Sequence, residues 1–488
     1  MRFLTVIIFF FWCGYSFSQQ FNFTPDCKAA YQEIFRLKLD DAASQIAQLK
    51  KNDPQNFIPY FLENYIDFFT VYISENQTAF DQMKDKVDAR LDKLKNGNPA
   101  SPYYLYSQAE VHLQYSLCKV KFTEYVGAVF EVKKAYELLK DNQEKFPDFK
   151  PNLKSLGLLH TIFGAIPDNY KFGAKLLGLK GSIEQGMQEL SQCINDKDFM
   201  FRDEALILYT LLQLHLQKKE SEAWKLIENA SLPYDDNMLN CFIAASVAQH
   251  TGKNDKVIDI IQHKPAGSGF YPVAFLDYML GVAKLNRLDS DANIYLAKYI
   301  NTFNGRSYKK ESFRKLAWYH LIRGNTAMYS KYMQSCLKMP YAPTDEDKSA
   351  QKEAERNVIP NAAILKARIL FDGGYYDKAL QGVNSVDISK LIKPRDQVEY
   401  YYRKARILHE MGNINDAVKT YLLAIQKGYN YEYYFAAQSA LKLANVFEQQ
   451  GKQNNAVTYY KMALNLDKDE YENSINAEAK AGLNRLGQ

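Results

Sequence analysis

The chain has 488 residues, more than one compact core usually holds, so it is either several domains or an extended repeat. Hydrophobic residues make up 47% and charged residues 24%, ordinary for a folded protein. With 61 Lys and Arg against 56 Asp and Glu, and no long run of one sign, the composition offers no case for nucleic-acid binding.

The first element is a targeting pattern. In MRFLTVIIFFFWCGYSFSQQ, Arg2 precedes an apolar run from Phe3 to Trp12, and Ser16 and Ser18 place small residues ahead of Gln19. This predicts a signal peptide over 1–18, cleaved after Ser18. The run is short for a permanent span, and an uncleaved anchor is the alternative. The bulky Trp12 argues against lipid attachment at Cys13. The five remaining cysteines, Cys27, Cys118, Cys193, Cys241 and Cys336, are scattered and form no CxxC. They read as buried single thiols, and neither a metal nor a cofactor is expected.

Residues 19–340 read as an irregular body of helix pairs. FRLKLDDAASQIAQLKKNDP places Ala42, Ile46, Leu49 and Pro54 at helical spacing. NGNPASP, Asn96 to Pro102, is a loop by its Gly and Pro content. ALILYTLLQLHLQKKESEAWKLIENA carries Ala223, Ile227 and Ala230. Further pairs turn at Gly252 and Gly324, and Leu280-Gly281 marks another. The mature chain reads as nine to twelve such pairs. No segment sustains the alternation of a strand.

The stretch LGLLHTIFGAIPDNYKFGAKLLGLKGS, Leu156 to Ser182, is apolar and glycine-rich. Its apolar run, Leu156 to Ile166, falls short of the roughly 20 residues a spanning helix needs, and Asp168, Lys171, Lys175 and Lys180 follow it. Pro167 ends one helix, and Asp168 or Asn169 caps the next. It reads as a structural joint. The alternative is a lipid or small-ligand pocket lined by Phe163, Phe172, Leu176 and Leu177.

Residues 341–360 turn highly charged after prolines and are read as a connecting segment. Residues 361–488 then carry three segments that align on Gly374, Gly412 and Gly451. Before each glycine stand Ala367, Ala405 or Ala444, then Leu370, Leu408 or Phe447. After it stand Ala379, Ala417 or Ala456, then Val383, Tyr421 or Tyr460. Alanines let two helices cross closely, rings and leucines fill the gap, and glycine takes the left-handed conformation that ends the first helix.

This pattern resembles the tetratricopeptide repeat (TPR), and KMALNLD at 461–467 is similar to that family's second-helix ending. The resemblance implies an all-α fold, an α-solenoid of helix pairs that binds partners. Two features depart from it: the spacings are 38 and 39 residues instead of 34, and Ala363, Tyr401 and Ala440 stand at the first-helix Trp position. Residues 155–190 also resemble the TPR-related inclusion-body-clearance family of eukaryotic mitochondrial and lipid-associated surfaces. The likeness rests on Gly157-Leu158-Leu159, Ile166-Pro167 and Gly178-Leu179-Lys180-Gly181. It implies shared architecture and no active site; the signal peptide departs from that family's location.

No phosphate-cradling glycine loop ends in Gly-Lys-Ser/Thr, no HExxH occurs, and Gly267-Ser268-Gly269 lacks a strand–turn–helix setting. No catalytic residue is expected. The functional expectation lies in the repeats. Arg368 and Arg406 directly follow Ala367 and Ala405, so both should face one groove formed by the first helices. Tyr402 and His409 share a helix with Arg406, and Asn445 holds the equivalent place in the third repeat. Such a basic strip with an aromatic neighbour suits an acidic or extended peptide through forked hydrogen bonds. The competing reading is solvated arginines, or arginines paired with Glu399 and Glu410. The clamp some TPR domains use for a C-terminal carboxylate wants a Lys where Ile364, Tyr402 and Leu441 stand.

The chain is therefore expected to be an exported, non-enzymatic, periplasmic or envelope scaffold with a protein or peptide partner. A glycan- or lipid-binding repeat protein is the alternative, disfavoured because only Trp224 and Trp318 follow the leader and both fall on predicted helices.

Overall fold

The computed structural model describes residues 20–166, 173, 175–229 and 233–488. The leader, with its cleavage site, lies outside the described residues, as do Pro167, Asp168, Asn169, Phe172 and Ala230. The described residues form 24 α-helices and no strand beyond one isolated bridge between Gln20 and Asn56. None of these helices is long and apolar enough to cross a membrane.

The chain divides into two compact units, Met1–Lys218 with Ala266–Tyr271, and Lys219–Pro265 with Pro272–Gln488. The boundary read from the prolines near 340 lies inside the second.

The first unit runs α1 (Pro25–Phe35), α2 (Leu39–Asn52), α3 (Ile58–Ser74), α4 (Gln77–Lys95) and α5 (Pro102–Lys121). It continues with α6 (Tyr125–Lys145), α7 (Pro151–Gly164), α8 (Ile183–Asn195) and α9 (Arg202–His215). The starts are written in the sequence. Thr24, Asn76, Ser101 and Ser182 each accept a first-turn backbone N–H, and α1, α5 and α7 open on proline. Residues 96–101 form the expected loop.

Gly157, Gly164 and Gly181 of the joint, and Gly186 just after it, are contact points. A Cβ on Gly157 would lie 2.9 Å from the Gly186 carbonyl, and one on Gly186 would lie 2.2 Å from the Thr161 hydroxyl. Helices α7 and α8 thus touch backbone to backbone, as a structural joint requires. Phe163 is buried edge-on to Tyr136 at 5.2 Å, whereas Leu176 is 78% exposed.

The second unit begins with α10 (Glu220–Asn229), α11 (Met238–His250), α12 (Asn254–Gln262), α13 (Phe275–Asn286) and α14 (Ala292–Thr302). Then come α15 (Lys309–Leu321), α16 (Thr326–Lys338) and α17 (Asp345–Arg356). It ends with α18 (Ala362–Asp372), α19 (Tyr376–Asn384), α20 (Pro394–Glu410), α21 (Ile414–Gly428), α22 (Tyr434–Gln449), α23 (Gln453–Asn465) and α24 (Glu472–Arg485). The charged segment 341–360 is thus mostly helix. Thr344 caps α17, and its Ala350 and Ala354 enter the core around Trp318 and Tyr329. Most of its charges lie on the outer face of an amphipathic helix, which a composition-based reading takes for a linker, while Asp347 is buried and accepts the Tyr308 and Glu311 N–H groups.

The three aligned glycines do what the register requires. Gly374, Gly412 and Gly451 have φ of 79°, 77° and 71°. In each turn the next N–H reaches back five residues: Tyr375 to Leu370, Asn413 to Leu408 and Lys452 to Phe447, all at 2.9 Å. This is the bond pattern of a Schellman helix end. The alanines at both helix positions are fully buried, with Val383, Tyr421 and Tyr460 between the helices.

The same five-residue bond recurs where no glycine announces it. Leu37, Thr123 and Leu288 have φ of 60°, 66° and 69°, and Lys38, Glu124 and Asp289 close the bonds to Glu33, Lys119 and Lys284. The weak N-terminal copies of the repeat are therefore built on the same turn.

Candidate functional site: a basic cleft on the first helices

In the second unit the first helices of successive pairs lie side by side, α18 against α20, α20 against α22 and α22 against α24. Their shared face carries a row of cations. Trp318 of α15, fully buried, has Arg314, Lys315 and Arg368 over its ring at 4.9, 4.2 and 4.5 Å. Its indole N–H donates to Glu353 at 2.8 Å. Burial, with Arg314 and Arg368 nearby, lowers the Lys315 ammonium below its ordinary value against the pull of Glu311.

A cleft of about 300 Å³ opens further along this face. Arg368 and Asp372 of α18 form one wall, and Tyr402, Arg403 and Arg406 of α20 the next. Tyr434 of α22 faces them, and Tyr471, Ile475 and Glu478 close the far side. Tyr471 has φ of 58°, which turns the chain into α24 and sets its ring against Tyr434 at 4.8 Å.

The sequence reading put Arg368, Tyr402 and Arg406 on one groove, and all three line this cleft. Arg406 donates to the Tyr402 hydroxyl at 3.1 Å and lies over the Phe371 ring at 4.7 Å. It has no carboxylate within 4.0 Å among the described residues. Arg368 has Asp372 at 3.8 Å. Glu399, the acid considered for these arginines, is taken elsewhere. Arg403 donates to it twice, at 3.2 and 3.0 Å, and Arg395 once at 3.0 Å. Burial opposes ionisation of Glu399, but Arg403 and Arg395 outweigh it and hold the carboxyl below its usual range. Arg403 also donates to Tyr434 at 3.2 Å. Burial likewise opposes ionisation of Tyr402, and Arg406 and Arg403 together bring its phenol below the usual value.

His409 and Asn445 are not part of the cleft lining. The His409 ring contacts the Tyr421 hydroxyl at 3.2 Å, and burial lowers its pKa. Asn445 donates to Glu478 at 3.0 Å and accepts from Tyr460 at 2.5 Å. Tyrosines of the second helices reach back to both, and Asn445 also ties to Glu478 of the cleft wall. Arg403, Tyr434 and the α24 residues went unread in the sequence. The Glu399–Arg403 spacing and the Ile475, Ala479, Leu483 period were their signals.

A second charged cluster sits in the first unit. Lys154, 1% exposed, donates to Glu204 at 2.7 Å, Glu110 at 3.1 Å and the Tyr65 hydroxyl at 3.4 Å. Tyr31 donates to Glu204 at 2.9 Å, and Ser155 donates to Glu110. Burial, with Glu110 nearby, raises the Glu204 carboxyl above its ordinary value against the pull of Lys154. Trp224 and Trp318 are both buried, so neither offers a face for sugar stacking.

Comparison with known proteins places the repeat. A family model described as tetratricopeptide repeat matches residues 398–426 and 437–470, the second and third aligned segments. No curated protein matches. Among solved structures, the TPR domain of P58(IPK) is 15% identical, with 83% of this chain and 93% of that one covered and a TM-score of 0.22. Yeast Tom70 is 15% identical, with 84% and 96% covered and a TM-score of 0.24.

Proposed function

Two of its helix pairs being tetratricopeptide repeats, we propose that this chain is an exported, non-enzymatic scaffold of the cell envelope. It holds a protein or peptide partner along the first helices of its C-terminal repeats. The observation that carries the reading is the convergence of Arg368, Tyr402 and Arg406 on one open cleft, with Tyr434 and Tyr471 as aromatic walls. Repeat helices present such faces to extended segments, and arginine and tyrosine are the residue types that anchor them. Export rests on the leader pattern of residues 1–18, and a periplasmic location suits it.

Affinity capture from an envelope extract tests this, with wild type and the Arg406→Glu and Arg406→Gln variants as parallel baits. A partner retained by wild type and lost from both variants is the expected result. The same partner retained by all three baits excludes the cleft as the docking site. Mass spectrometry of the exported chain tests the leader: the expected start is Gln19, and a retained Met1 or a lipid mass on Cys13 contradicts it.

A further inference from the structure

We propose that one edge of the second unit is a membrane contact, laid against an anionic lipid surface through the loops at 357–361, 385–393 and 429–433. The proposal goes beyond the scaffold reading and uses none of the cleft residues.

Helix pairs stacked in one direction bring the N-terminal ends of their first helices to one edge. Helices α18, α20 and α22 lie side by side, and each of the three loops leads into one of them. Lys393 of the second loop donates to the Ile359 carbonyl of the first at 3.4 Å, so these two loops meet. The repeat spacings of 38 and 39 residues exceed the 34 of the common repeat. The extra length between Gly374 and Gly412 coincides with loop 385–393, whose only regular element is the single turn Ile388–Lys390.

These loops present apolar side chains to solvent, two from each. Ile392 is 89% exposed, and Val358, Ile359, Ile388, Tyr429 and Tyr431 are between 38% and 60% exposed. At about 200 Å² for a large side chain, these fractions come to roughly 600 Å². That area is spread over three loops, whereas each partner in a stable dimer supplies about 800 Å² of packed surface. A second copy of the chain is therefore a poor fit. A bilayer moulds itself around separate side chains and needs no continuous patch.

The residue types match the layers of a bilayer surface. Isoleucine and valine enter the acyl boundary, tyrosine rings sit at headgroup level, and lysines reach the lipid phosphates. Lys390 and Lys393 bracket Leu391-Ile392, and both are exposed. Asp387 is the one acid of this loop and stands 3.4 Å from Lys390. Lys393 has no carboxylate within 4.0 Å among the described residues. Glu432 is the acid beside Tyr431. The loop that carries the most exposed isoleucine thus carries a surplus of positive charge, which an anionic leaflet answers.

The test is flotation of residues 19–488, which hold every described helix, with vesicles of phosphatidylglycerol and phosphatidylcholine in equal parts. Omitting the leader keeps its apolar run from binding lipid by itself. Pure phosphatidylcholine vesicles are the neutral control. The chain should float with the mixed vesicles and more weakly with the neutral ones. Ile388→Ser/Ile392→Ser should weaken binding by about ten-fold or more, and Lys390→Gln/Lys393→Gln by about three-fold or more. Leu422→Ser/Leu423→Ser, exposed to a similar degree midway along α21, should leave it unchanged. Each variant is checked for an unchanged unfolding midpoint. No flotation, equal binding to neutral vesicles, indifference to the Ile388 and Ile392 substitutions, or an equal loss in the Leu422 and Leu423 variant overturns the membrane edge. So does a dimer, seen by sedimentation equilibrium, that the Ile388 and Ile392 substitutions dissolve. The scaffold reading stands or falls separately, on the Arg406 variants.

Discussion

Lys154 in the first unit and Arg406 in the second are both cations drawn out of water, and the fold answers them differently. Lys154 is surrounded by as many acceptors as it has donors, and those acceptors are themselves held by Tyr31, Tyr65 and Ser155. Each of these carboxylates and hydroxyls has a partner within the cluster. Arg406 has a single hydrogen bond, to a phenol, and stands at the edge of a cleft. A closed cluster of this kind fixes a core, and its loss shows in stability. An open one is held in readiness, and its loss shows in binding. The amount of charge buried does not separate structure from function here; the balance of donors and acceptors does.

The sharpest way to break the comparison is Lys154→Met. It strands Glu110 and Glu204 without their cation and should cost about 3–5 kcal/mol of stability, read from urea unfolding. Adding Glu204→Gln should recover part of that loss. A cost below about 1 kcal/mol means the first cluster is not closed. In the second unit, Glu399→Gln removes the charge that holds Arg403 and Arg395, which should cost about 2 kcal/mol. A change of that size at Arg406 instead would blur the distinction between paired and unpaired arginines. Gly412→Val forces a branched side chain into φ of 77° with open space around it, so strain alone acts. The expected loss is about 1 kcal/mol or more, with affinity per folded molecule unchanged.

The smallest effect belongs to an exposed pair. Arg485 forks onto Glu448 at 2.8 Å on both oxygens and, as the largest cause, pulls the Glu448 carboxyl down from 4.5 to about 2. Its contribution is complete above the unfolded value and is lost as pH falls through the folded one. Stability should therefore decline between about pH 4.5 and 2 partly through this group. Glu448→Gln should flatten that acid limb by less than about 1 kcal/mol, as surface pairs do.

Legibility in the sequence follows the same physics. Gly374, Gly412 and Gly451 were readable because glycine alone takes positive φ without penalty, so the turn left a mark. Leu37, Thr123 and Leu288 make the same turn at some strain and leave none, which is why the N-terminal pairs read as weak copies. The helix at 345–356 was hidden by charge, since its buried residues are Asp347, Ser349, Ala350 and Ala354, with no large apolar side chain among them. Arg368, Tyr402 and Arg406 followed from repeat register alone. His409 and Asn445 share that register, but their partners are Tyr421 and Tyr460, and register fixes the Cα position without fixing which hydroxyl reaches back. The far wall of the cleft was missed because α24 follows the last recognisable repeat.

The central claim is that Arg368 and Arg406, which make no hydrogen bond to a carboxylate, exist for a partner and not for the fold. The most direct measurement is the affinity of the captured partner for the Arg368→Gln/Arg406→Gln double variant, taken with its unfolding free energy. Affinity should fall more than ten-fold while stability stays within about 1 kcal/mol of wild type. Undiminished affinity, or a loss of affinity that only tracks unfolding, contradicts the claim.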